Sequence, residues 1–227
     1  MARAAEGTGG GGSPFAKFNE RGDTLIAAFG GGKSRQQQDF KEKKPKFKDD
    51  GKPLLEEVMH FVAMPGTTAK TGTPDNPETI EAADIVRFSV SGYKWGQVID
   101  ERKNLPEYAG YKAGTPCSGD VYTITLVGWS AETENAAGAT KAGYTVVDGR
   151  IVLRSTEEHE KWVLMRLRGN QNTNAAKDFT ISIRRPNADE KRWEQAADEL
   201  FDSKPWERVA ATVGGGESAD HDDNESF

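Results

Sequence analysis

Alternating apolar and polar positions account for most of the regular structure that this chain predicts, and they favour strands over helices. In "DVYTITLVGW" (120–129), Tyr122, Ile124 and Leu126 share one face while Thr123, Thr125 and Trp129 share the other, the period of a half-buried strand. "DIVRFSV" (84–90) and "DFTISIRR" (178–185) behave the same way, and "KWVLMRLR" (161–168) sets Val163, Met165 and Leu167 opposite Trp162, Leu164, Arg166 and Arg168. "DTLIAAF" (23–29) is an apolar run ended by Gly30, Gly31 and Gly32, which reads as a first strand followed by a mobile turn. "LLEEVMHFVAM" (54–64) mixes two periods, but its β-branched and aromatic content and its abrupt Met64-Pro65-Gly66 end favour a strand. "YTVVDGRIVL" (144–153) carries Asp148-Gly149 between two β-branched runs and predicts a hairpin.

Helical spacing is confined to two places. Trp95, Val98, Ile99 and Arg102 recur at three-to-four intervals within 92–104, and Trp193, Ala197 and Leu200 form a stripe within 189–201 that predicts a peripheral helix. The segment 67–79 reads as a loop from its Thr, Gly and Pro content. Strand, strand, strand, short helix, strand, then a hairpin and two further strands is the order of an oligonucleotide-binding (OB) barrel. The expected fold is therefore mainly β: an OB-like five-stranded barrel with a short helix between strands 3 and 4 and an extra hairpin. A generic β-sandwich is the alternative.

Composition divides the chain into parts. A mean hydropathy of -0.72 is low for a compact globule, and the polar excess lies at the ends. Residues 1–20 predict a flexible Gly-rich arm, 21–205 the OB-like domain and 206–227 a disordered acidic tail. Residues 187–227 hold four Lys/Arg against twelve Asp/Glu, whereas the preceding 186 hold 26 against 24. A near-neutral body with an acidic appendage can still approach a polyanion once the appendage moves aside. With no signal-like or membrane-length apolar run, the expected setting is the cytoplasm.

The candidate chemistry narrows quickly. "AAFGGGKS" (27–34) ends like a phosphate-binding loop but has Ala27 where the first glycine is required, and Pro45 interrupts any following helix. The three histidines, His60, His159 and His221, match no metal or triad spacing, and Cys117 has no second cysteine to pair with. No catalytic residue, metal or cofactor is expected. The segment "KSRQQQDFKEKKPKFKDDGK" (33–52) instead interleaves Lys33, Arg35, Lys41, Lys43, Lys44, Lys46 and Lys48 with Phe40 and Phe47. Cations that track phosphates and rings that stack on bases are the two components of sequence-tolerant single-strand binding. Trp129, Trp162, Arg166, Arg168 and Arg184 form a second candidate nucleic-acid surface on the strands; the plain alternative for the basic segment is a solvated loop.

The chain closes with "DHDDNESF" after three glycines, and an aromatic last residue on an acidic tail asks for a pocket on a partner. This ending resembles the tails of bacterial and phage single-stranded DNA-binding proteins, with Ser226 where bacterial tails usually set a proline. The resemblance implies partner-binding roles for Asp220, Asp222, Asp223, Glu225 and Phe227, and partners such as a replicative polymerase, helicase or nuclease. Separately, "RQQQDFKEKKPKFKDDGKP" (35–53) resembles a stretch in small, OB-like proteins of actinobacterial phages and mobile elements. The expectation is a non-enzymatic protein that coats single-stranded DNA during phage replication or recombination, its homo-oligomeric state left open. A β-rich virion protein with a solubilising tail and a strand-annealing recombination protein are the alternatives.

Overall fold

The computed structural model describes residues 13–38, 44–73, 75–132, 136–141, 143–147, 150–153 and 176–204. The predicted strands at 161–168 and the acidic tail at 206–227 lie outside these residues.

Among the described residues nine strands and three α-helices follow in order: β1 (Thr24–Gln36), β2 (Leu55–Ala63), β3 (Lys70–Thr73), β4 (Asn76–Thr79), β5 (Ile85–Val90), α1 (Tyr93–Lys103), β6 (Val121–Glu132), α2 (Ala136–Lys141), β7 (Val146–Val147), β8 (Arg150–Leu153), β9 (Ala176–Arg184) and α3 (Lys191–Ser203). The mainly β expectation holds. One antiparallel sheet runs β5-β2-β1-β6-β8-β7 with β9 on the other edge of β6, and β3-β4 form a separate ribbon. Among the described residues no ladder joins β5 to β9, so the sheet is not a closed barrel. Their side chains still meet: the ring centroids of Phe88 on β5 and Phe179 on β9 are 5.3 Å apart, and Phe18 packs on both at 5.6 and 4.9 Å.

Each face of the sheet has its own apolar cover. Leu25, Met59, Phe61, Val86, Phe88, Tyr122, Ile124, Leu126 and Ile181 point into one core, which Val98 of α1 joins. On the opposite face Trp193, Ala197 and Leu200 of α3 pack on Ala28, Val62, Met64 and Val121, so the predicted stripe is the one that is buried. A capping box opens the turn ahead of α3: Asn187 Oδ1 accepts from the Asp189 amide at 3.0 Å, while Glu190 accepts from the Asn187 amide at 2.9 Å.

Three expectations need correction. The glycines at 30–32 are not a turn; they lie inside β1, with a bulge between Phe29 and Gly31 and Gly31 at φ 118°. Packing explains them, because a methyl at Gly30 would stand 2.4 Å from Leu200 Cδ2 and one at Gly32 2.6 Å from the Val58 carbonyl oxygen. A backbone oxygen in β2 cannot rotate aside, so Gly32→Ala is expected to cost about 1–3 kcal/mol of stability; an unchanged urea midpoint would contradict this. The segment 67–79 is not wholly a loop, since β3 and β4 pair from Lys70↔Thr79 to Thr73↔Asn76. The arm expected over 1–20 is packed from Pro14 onward: Ala16 donates to the Arg87 carbonyl at 2.8 Å, Lys17 to that of Lys70 at 2.7 Å, and Phe18 is buried. Alternation of Ala16 and Phe18 inward against Phe15 and Lys17 is the signal, four residues too short to stand out beside the glycines.

Candidate nucleic-acid interface

The bulge in β1 decides where its basic end points. Past it, Lys33 pairs with Val58 and Arg35 with Glu56, which moves both cations to the face that holds His60 rather than the one that holds Phe61. Lys33 and Arg35 are therefore strand residues and not part of a loop. Beyond Gln36 the chain leaves the sheet as an arm. Gln37 donates to the Leu54 carbonyl and Lys46 to that of Gln37, both at 2.8 Å, and Lys48 pairs with Lys52 across a tight turn. Among the described residues of the arm, Phe47 is 56% exposed, and Lys44, Lys46 and Lys48 beside it are exposed as well. Lysines and an open ring thus share one projecting element; Phe40, Lys41 and Lys43 lie outside the described residues.

The sheet face next to the arm adds residues that sequence reasoning missed. Phe15 lies against two guanidinium groups, Arg87 Cζ at 4.3 Å and Arg35 Cζ at 5.6 Å from its ring centroid. Arg35 Nε donates to Glu56 at 2.7 Å, and Ser89 donates to the second oxygen of that carboxylate. Burial and Arg35 together pull the Arg87 guanidinium below its ordinary pKa. Arg87 was legible, since "IVRFSV" sets it opposite Val86 and Phe88; its pairing with Phe15 was not, because the two are 72 positions apart.

His60 sits beneath this face, and burial, then the charge of Arg87, hold its imidazole down to about 4 from an ordinary 6.5. The unfolded chain takes up a proton near pH 6.5 and the folded one only near 4, so stability is complete above the first value and falls as pH drops towards the second. The loss is on the order of 3 kcal/mol. Unfolding in urea across this range is expected to show that slope in the wild type and a shallower one in His60→Gln; parallel slopes would contradict it.

The strand-borne candidates fare differently. Trp129 is 6% exposed and belongs to the core, so it offers no platform for a base. A bulge between Leu126 and Gly128 is the cause: it shifts the alternation by one position and turns Trp129 to the side of Leu126. Arg184 is held by Glu190 through two contacts of 2.7 and 2.6 Å, which fastens β9 to the capping turn of α3. Trp162, Arg166, Arg168 and the tail residues Asp220, Asp222, Asp223, Glu225 and Phe227 lie outside the described residues. Among the described residues no group of three His, Cys, Asp or Glu is placed to hold a metal, and no helix is long and apolar enough to cross a membrane. Compared with protein-family models, curated proteins and solved structures, the chain matches none.

Proposed function

We propose that this protein binds single-stranded DNA through the arm between β1 and β2 and the adjoining face of Arg35, Arg87 and Phe15. The observation that carries the reading is the exposed Phe47 ring set among exposed Lys44, Lys46 and Lys48. An exposed ring offers a face on which an unpaired base can stack, and the lysines around it attract the polyanion that carries such bases. The scaffold is read as an OB-like barrel left open between β5 and β9. In support, the five major strands lie in the order β5-β2-β1-β6-β9, with α1 between the third and fourth in sequence. That is the neighbour order of an OB barrel, in which the first loop is a usual place to grip a strand.

On this reading the protein catalyses no step. It works in the cytoplasm on replicating or recombining DNA, while the acidic tail ending in Phe227 engages replication or recombination proteins. Trp129 and Trp193 are buried and would report little by quenching. Anisotropy of labelled oligo-dT is the better test: saturable binding is expected at low ionic strength, weakening steeply with salt. Failure to saturate there would end the reading. Parallel titration with oligo-U separates DNA from RNA as the preferred strand.

A further inference from the structure

A cleft lined by residues of β6, β8, β9 and α1, with none from the arm, takes no part in the strand-binding reading. It holds about 590 Å³ and is lined by residues of β6 and β9, by Arg150 and Val152 of β8, by Gln97 of α1 and by Arg21. That size suits a small ligand. Three cations bear on it: Arg21 and Arg150 line it, and Lys94 stands beside it with its ammonium 4.8 Å from the centre of the lining Phe179 ring. Among the described residues that line it, one acid opposes them. Asp178 accepts from Ser130 Oγ at 3.0 Å, and the same hydroxyl accepts from Arg150 at 2.8 Å.

The balance of charge is therefore positive in a partly dry setting. Burial holds the Lys94 ammonium down to about 8; Asp178 works against this, while Lys177 and Arg150 add to it. Lys177 itself donates to the Phe18 carbonyl and so faces away from the opening. An anion in the cleft would relieve this crowding of like charges. A second observation narrows the anion. Gln97 Oε1 is buried with no hydrogen-bond partner among the described residues. An amide oxygen needs a donor, which the ionised phosphate of a nucleotide lacks and its nucleobase N–H supplies.

We propose that this cleft is a nucleotide site, in which Arg21, Lys94 and Arg150 hold the phosphate and Gln97 Oε1 accepts from an N–H of the base. The site stands independently of strand binding by the arm. Thymidine monophosphate is the probe, followed by amide chemical shifts, with ribose phosphate and inorganic phosphate for comparison. The expected result is saturation by the nucleotide, about tenfold weaker in Lys94→Met and in Arg21→Gln. Gln97→Leu is expected to erase the preference for thymidine monophosphate over ribose phosphate. Arg21 is exposed, so its variant keeps the test open should Lys94→Met fail to fold.

No saturation at millimolar nucleotide, or equal affinity in the wild type and both cation variants, would overturn the proposal. Lys46→Glu combined with Lys48→Glu is expected to leave nucleotide binding unchanged, so failure of the arm as a strand contact is distinguishable from failure of the cleft. Competition by oligo-dT then identifies the source of the phosphate. Displacement of the nucleotide means that the strand itself enters, and its retention means a free nucleotide; the site stands in both cases.

Discussion

Arg185→Met is expected to destabilise the fold by about 3–5 kcal/mol, the loss typical of breaking a buried ion pair from one side. The side chain of Asp120 is fully buried and that of Arg185 nearly so, with Nη1 donating to both carboxylate oxygens at 2.7 and 2.9 Å. Asp120 also accepts from the Cys117 amide at 2.8 Å, and Arg185 reaches the carbonyls of Pro106 and Thr115 at 2.8 and 3.0 Å. One guanidinium therefore ties the whole segment between α1 and β6 to the end of β9. Truncation leaves a carboxylate in the interior with one backbone donor. Arg185→Lys should recover little, because a single ammonium cannot span the carboxylate and two carbonyls in a fixed plane. In a cycle with Asp120→Asn, the double variant is expected to lose less than the sum of the single losses. A loss below about 1 kcal/mol for Arg185→Met in urea unfolding would show that the segment is held by other contacts.

The same dipeptide shows what alternation can and cannot tell. "RR" at 184–185 ends a strand, so the two side chains take opposite sides, and that much is legible. Which one is interior depends on Asp120, 65 positions away, and on Glu190 in the next turn. The main strands, the hairpin at 144–153 and both longer helices follow from local periodicity, because each buries one face and the pattern records it. The errors fall where a contact distant in sequence overrides a local signal. Glycines normally punctuate, yet Gly30 and Gly32 lie in mid-strand because Leu200 and Val58 approach them. Trp129 alternates outward on paper and is turned inward by a bulge of one residue.

The candidate site was legible in part for the same reason. An exposed element leaves its composition intact, so the lysines and Phe47 could be read directly from "KKPKFK". The guanidinium pair around Phe15 could not, since it needs an N-terminal segment laid along β5. His60 lay within a run whose polarity is local, but its environment depends on Arg87 from the neighbouring strand.

Those exposed residues carry the second large effect. Replacing Lys44, Lys46 and Lys48 with glutamate together is expected to weaken oligo-dT binding roughly a hundredfold at about 0.1 M salt and to flatten the log-log salt slope by about two units. About 0.7 counterions are released per single-strand phosphate neutralised, and three lysines account for that change in slope. Phe47→Ala acts differently: losing one stacked base costs about 1–3 kcal/mol and leaves the salt slope in place, because no charge has changed. The two variants therefore separate attraction from stacking within one element, and neither should shift the thermal midpoint, since both alter exposed positions. If the triple variant keeps the wild-type slope, the phosphates are met elsewhere, and Arg35 and Arg87 become the cations to change next. If Phe47→Ala instead lowers the slope, the ring holds the arm's lysines in position rather than stacking on a base, and its role is that of a strut.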